Sequence, residues 1–136
     1  MDEGIKVGVK DGFNFCLHLA KIIVPVTFTF SILKETVIFK QATYLLTPAM
    51  GVVGLPGSAT FTLLLGFFSL YAAVGSIIPL GLTVKETTII AMMILTAHTL
   101  IIEGGALKRM KLNYVKLTVF RIIMAFFIGF IVNLLM

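Results

Sequence analysis

Four apolar runs, each close to the length of a bilayer crossing, decide what this chain can fold into. They are Phe13–Leu33, Ser58–Leu80, Val84–Glu103 and Val115–Met136. The hydrocarbon core of a membrane takes a helix of about 20 mostly apolar residues. Of the 136 residues, 59% are hydrophobic and 12% charged, and the mean hydropathy is +1.10. A soluble domain carries about 25% charged residues, so there is too little charge here to cover a globule in water. The pattern excludes a cytosolic enzyme, a disordered tail and a disulfide-rich secreted module. The expected fold is an all-α integral membrane protein with four transmembrane helices and one broken or re-entrant segment. It forms a single domain over 1–136, with 1–11 as an interfacial N-terminal segment.

The net charge of +5 does not point to nucleic acid. Lys and Arg flank the apolar runs, where they meet lipid headgroups and set topology. No basic block is interleaved with stacking aromatics. A lone Cys16 can form neither an internal disulfide nor a metal cluster. The acidic start Met1-Asp2-Glu3, with no small-residue cleavage site after the first run, argues against a cleaved signal, so that run is expected to stay as a helix. There is no Ser-His-Asp order or nucleophile elbow, and the two aspartates both lie in the N-terminal segment. The chain is therefore expected to be no enzyme and to need no cofactor or metal.

Along the chain, Pro25 near the centre of the first run predicts a kink. Asn14, His18, Lys21 and Pro25 share one face. Lys21 is either a headgroup anchor or a partner for Glu103. The second segment, Thr36–Met50, is short and interrupted by Lys40, Gln41 and Pro48, and leads into Gly51-Val-Val-Gly54-Leu-Pro56-Gly57. That segment reads as a re-entrant or half-membrane helix. The glycine-proline stretch is either an interfacial loop or a broken-helix site, since irregular backbone at membrane depth survives only when buried or lining a wet cavity. In the third run, Ser58, Thr62, Gly66, Ser69, Ala73 and Ser76 make a small-residue stripe on one helical face, fit for close backbone approach. Thr83 and Glu86 have capping-box spacing. The fourth helix is expected from about Val84 to Glu103, ended by Gly104-Gly105. It carries a second stripe of Thr88, Met92, Thr96, Thr99 and Glu103, with His98 on the adjacent face. A basic connector, Lys108-Arg109-Met110-Lys111, precedes the last run, in which Arg121 can snorkel to the interface.

Ionisable groups inside a membrane helix are costly and hence functional candidates, which singles out His18, Lys21, His98 and Glu103. The runs Pro48-Ala-Met-Gly51-Val-Val-Gly54-Leu-Pro56-Gly57, Leu70-Tyr-Ala-Ala73, Leu82-Thr-Val-Lys-Glu86 and Ala97-His98-Thr-Leu-Ile-Ile-Glu103 resemble the nucleoside recognition, or Gate, domain family. That family is similar to the Gate regions of ferrous iron transport protein B, the core of concentrative nucleoside transporters and the spore maturation membrane proteins. The resemblance covers about Ala20 to the C-terminus. It implies one half-unit of an inverted-repeat transporter core, built around discontinuous helices and hairpins.

The expected function is that of a transporter-like homo-oligomer, such as an antiparallel homodimer, in a bacterial inner membrane as a multi-pass protein. It would act on a small solute or ion, with a nucleoside or related compound implied by the resemblance. The expected substrate-binding residues are Gly51, Gly54, Pro56 and Gly57 at the break, set against Thr96, His98, Thr99 and Glu103. The alternative is a non-transporting scaffold or accessory subunit in which the stripes are packing faces. If the second segment spans, Lys6, Lys10, Lys108, Arg109, Lys111 and Lys116 face one side and Lys34, Lys40 and Lys85 the other. A re-entrant segment reassigns them at the same six-to-three ratio. That modest bias leaves dual insertion open.

Overall fold

The computed structural model describes residues 2–110 and 113–136. Met1 of the acidic start and Lys111 of the basic connector lie outside them. Among the described residues all regular structure is helical: α1 (Asp2–Leu33), α2 (Val37–Gly51), α3 (Ala59–Phe68), α4 (Leu70–Ile77), α5 (Val84–Ala97), α6 (Leu100–Arg109) and α7 (Tyr114–Leu135). A 3-10 turn, Ile78–Leu80, extends α4. Gly4–Leu33 and Tyr114–Leu135 are long and apolar enough to cross a membrane. Of the segment expected at the interface, the described residues 2–11 are continuous with the first run. The resulting 32-residue helix rises about 48 Å, more than the ~30 Å hydrocarbon core.

The third apolar run is two helices. Ser69 stands between them in extended geometry, φ −154 and ψ 124, and its side chain accepts the Ala72 N–H at 3.4 Å. On one continuous helix Thr62 and Ser76 would lie about 21 Å apart. Instead the Ser76 hydroxyl donates to Thr62 Oγ1 at 2.9 Å, and Ala73 lies beside Gly66. So α3 and α4 fold back on each other as an antiparallel hairpin with its tip at Ser69. The small-residue stripe packs backbone to backbone as expected, but against its own other half. Thr62, Ala73 and Ser76 in that seam are wholly buried.

The fourth run is also interrupted. Thr83 and Glu86 form the expected capping box at the start of α5, but α5 ends at Ala97. His98 is extended and Thr99 has φ +52. Helix resumes as α6 and continues through Gly104 to Arg109. The expected stop at Gly104-Gly105 is therefore replaced by a break at His98–Thr99, where a left-handed residue cannot continue the helix.

α5 is central. Its Ile89, Ile90 and Met93 are fully buried, packed between the hairpin on one side and α7 on the other. α7 runs antiparallel to α5 and α6: Lys85 Nζ donates to Asn133 O at 3.0 Å, Gly129 abuts Met93, and Arg121 reaches Thr96. α1 packs parallel to α4, through Thr27 Oγ1 to Gly75 O at 2.8 Å and Lys34 Nζ to Pro79 O at 2.9 Å. The C-terminal ends of α1, α4 and α7 and the N-terminal end of α5 thus gather at one end of the bundle, named here the Lys85 end. Most of the apolar surface of α1 and α7 faces outward, including Val24, Phe28, Phe120, Ile123 and Phe127. Such a surface is tolerable in lipid and costly in water.

Candidate functional site

The two breaks meet. Helix ends leave carbonyls and N–H groups without intrahelical partners, and here the interruptions supply partners for each other. The N–H of Thr99 donates to Gly66 O, near the C-terminal end of α3, at 2.9 Å. Thr96 O, at the C-terminal end of α5, accepts from Arg121 Nε at 3.0 Å. The Arg121 guanidinium also pairs with Glu103 Oε2, while the other carboxylate oxygen accepts from the Thr99 hydroxyl at 3.0 Å. One cation therefore closes the open end of α5, and one carboxylate sits in the first turn of α6. Both placements complement the helix dipoles: positive at a C-terminus, negative at an N-terminus.

This arrangement decides between the two readings of Lys21 and corrects the expectation for Arg121. Glu103 is paired with Arg121; Lys21 is exposed on α1. Arg121 does not reach outward for the interface but turns inward, its side chain 23% exposed. A sequence signal for the pair existed: Glu103 and Arg121 lie at nearly equal distances from the two ends of the 110–113 connector between α6 and α7, so an antiparallel turn brings them level.

The expected site residues fall into two groups. Thr96, Thr99 and Glu103 belong to the junction of the breaks, though the Thr96 hydroxyl is spent on Met92 O at 2.9 Å and only its carbonyl faces Arg121. His98 is beside them, with Nδ1 2.9 Å from Leu95 O. Gly51, Gly54, Pro56 and Gly57 lie elsewhere. The stretch after Gly51 is irregular, as the glycines and proline require, but it sits at the Lys85 end, with Gly54 (φ +73) against the Asn133 side chain. Twelve residues of α7 separate Asn133 from Arg121, about 18 Å. The structure does not bring the two groups together. Gly66, Ser69 and Arg121, absent from the expected set, are the residues that join the junction to the hairpin tip and α7.

What this geometry defines is an all-helical membrane protein with two interrupted helical elements in contact. Over 129 residues, 94% of the chain, it is 35% identical to the uncharacterized membrane protein YvoD of Bacillus subtilis (strain 168). The chain spans about two-fifths of that relative's length, 41%. No protein-family model and no solved structure matches it.

Proposed function

We propose that this chain is a half-unit of a solute transporter of the Gate type, active as a homo-oligomer. Three elements cross the bilayer in this reading: α1, the interrupted α5–α6, and α7. The α3–α4 hairpin is re-entrant from the Lys85 end. The reading departs from four full spans by treating the third run as a hairpin.

The observation that carries the proposal is the contact between the two breaks at Gly66 and Thr99, with the Glu103–Arg121 pair beside it. Discontinuous helices are the means by which transporters present backbone dipoles to a solute in lipid. The N-terminal ends of α4 and α6 both open at this junction, and such ends favour the electronegative groups of a small solute. The solute we propose is a nucleoside or related compound. Glu103 and Arg121 exchange their mutual contact for contacts to it, and an antiparallel second copy supplies the other half of the inverted repeat. Alignment with two-fifths of a longer membrane protein supports this, because it leaves that protein room for a second such unit.

Uptake of radiolabelled nucleosides into proteoliposomes tests the assignment. Glu103→Gln and Arg121→Gln are each expected to lower the initial rate by about ten- to a hundredfold, the worth of one charge-assisted hydrogen bond. Wild-type rates in both variants would remove the junction as the site.

One observation favours the scaffold reading. Glu103 and Arg121 satisfy each other, and the hydroxyls of Thr88 and Thr96 bond their own helix. Cross-linking in native membranes separates the two readings: a stoichiometric hetero-complex without self-dimer supports a scaffold.

A further inference from the structure

We infer that α2 is an interfacial helix, lying along the membrane surface at the Lys85 end with its exposed face seated in the lipid headgroup region. Both of its ends are held at that end of the bundle. At its start, Thr36 follows directly on α1 and accepts the Phe39 N–H at 3.3 Å. Phe39 packs edge-on to Phe30 of α1 (5.5 Å between ring centroids) and stacks on Phe61 of α3 (4.3 Å). At its other end the chain leaves through Gly54, against Asn133 near the C-terminus of α7. Fifteen residues rise only about 22 Å, short of the ~30 Å hydrocarbon core. A helix with both ends on one face of the bundle, and too short to cross, lies across it.

Its roll about its own axis is fixed as well. Phe39 and Met50 are buried against the bundle. Away from it, Val37, Lys40, Gln41, Tyr44 and Leu45 recur at helical spacing and line a shallow groove of about 540 Å3. Ile38 and Tyr44 are each 80% exposed and Leu45 75%. Water is a poor neighbour for Ile38 and Leu45, and hydrocarbon a poor one for Lys40 and Gln41. The headgroup region accepts both: tyrosine concentrates there, and lysine can lay its methylene stem on apolar groups with its ammonium in the polar layer. A second copy of the chain is a weaker occupant, because charged residues are depleted from the cores of protein interfaces. Lys40 is paired with Glu35 at 3.2 Å, so the seating does not depend on anionic lipid.

The chain contains no tryptophan, so Tyr44→Trp and Leu45→Trp each install a single reporter at an exposed position. The whole chain is reconstituted into phosphatidylcholine vesicles carrying bromine either near the headgroup end or near the terminus of the acyl chains. Phe127→Trp, outward on α7, calibrates depth and confirms insertion by losing most emission to the chain-terminal bromine. The expected result is the greatest loss from headgroup-proximal bromine for both α2 reporters. Greatest loss from chain-terminal bromine would overturn the inference in favour of a helix immersed in hydrocarbon. No loss from either lipid would overturn it too, with acrylamide distinguishing a face in water (quenched) from one covered by a second copy (shielded).

Discussion

Arg121 sits seven residues into α7, about 10 Å along its axis, close enough to an interface that its side chain could have reached headgroups. It turns inward because two acceptors converge there: the Thr96 carbonyl, stripped of its helical donor by the break, and the Glu103 carboxylate. Removing one partner leaves the other charge uncompensated, at a cost below that of a charge at the bilayer centre, about 2.5–3.5 kcal/mol, since the Glu103 side chain is 43% exposed. Arg121→Met and Glu103→Leu are each expected to destabilise the detergent-solubilised protein by about 1–2 kcal/mol. The double variant is expected to lose less than the sum, because no orphan charge remains. Thermal unfolding of the four proteins measures the coupling, and strictly additive losses would show that the pair is not energetically linked.

Among the elements, α2 is held to α3 by a backbone approach that only glycine permits. A methyl at position 57 would overlap Thr43 O and lie 2.6 Å from Thr47 Oγ1, and a backbone oxygen cannot yield as a side chain can. Gly57→Ala is therefore expected to lift α2 from α3 and cost about 1–3 kcal/mol, the usual penalty for overpacking. Gly51→Ala, which meets nothing within 4 Å, is the matched control. Limited proteolysis within Val52–Ser58 reports the effect: faster cleavage in Gly57→Ala alone is the expected outcome. The element scale is also where reading from sequence reached its limit. The capping box of α5 and the irregular 52–57 stretch were legible, since both depend on neighbouring residues. The fold-back at Ser69 was not. Serine is unremarkable inside an apolar run, and the stripe that packs α3 on α4 has the same spacing a single helix would show.

For the molecule as a whole, the hairpin makes a topological prediction that a single spanning helix contradicts. Val52 lies before the third run and Ile78 close to its far end, and they are 62% and 64% exposed. In copies held to one orientation by a fused soluble domain, and with the single native cysteine replaced, Val52→Cys and Ile78→Cys are expected to react with a membrane-impermeant thiol reagent from the same side. Reaction from opposite sides would mean that the run crosses. Met110→Cys, in the connector before α7, is expected to react from the other side of the same copy, the one that holds Lys6, Lys10, Lys108 and Lys116.

The sequence alone determined that this is a helical membrane protein, where its apolar runs lie, and that threonine, histidine and glutamate cluster in the fourth. Those properties are sums over neighbouring residues: lipid exposure depends on apolar content, and helix starts depend on caps a few positions away. Only the tertiary structure decided which run doubles back, that Glu103 meets Arg121, and that Gly54 of the glycine-proline stretch sits against Asn133, about 18 Å along α7 from Arg121. Hydropathy has no direction, because a spanning helix and a hairpin of two half-length helices present the same apolar groups to lipid. The choice between them rests on one extended residue at Ser69 and on the Ser76–Thr62 hydrogen bond that the fold-back brings together.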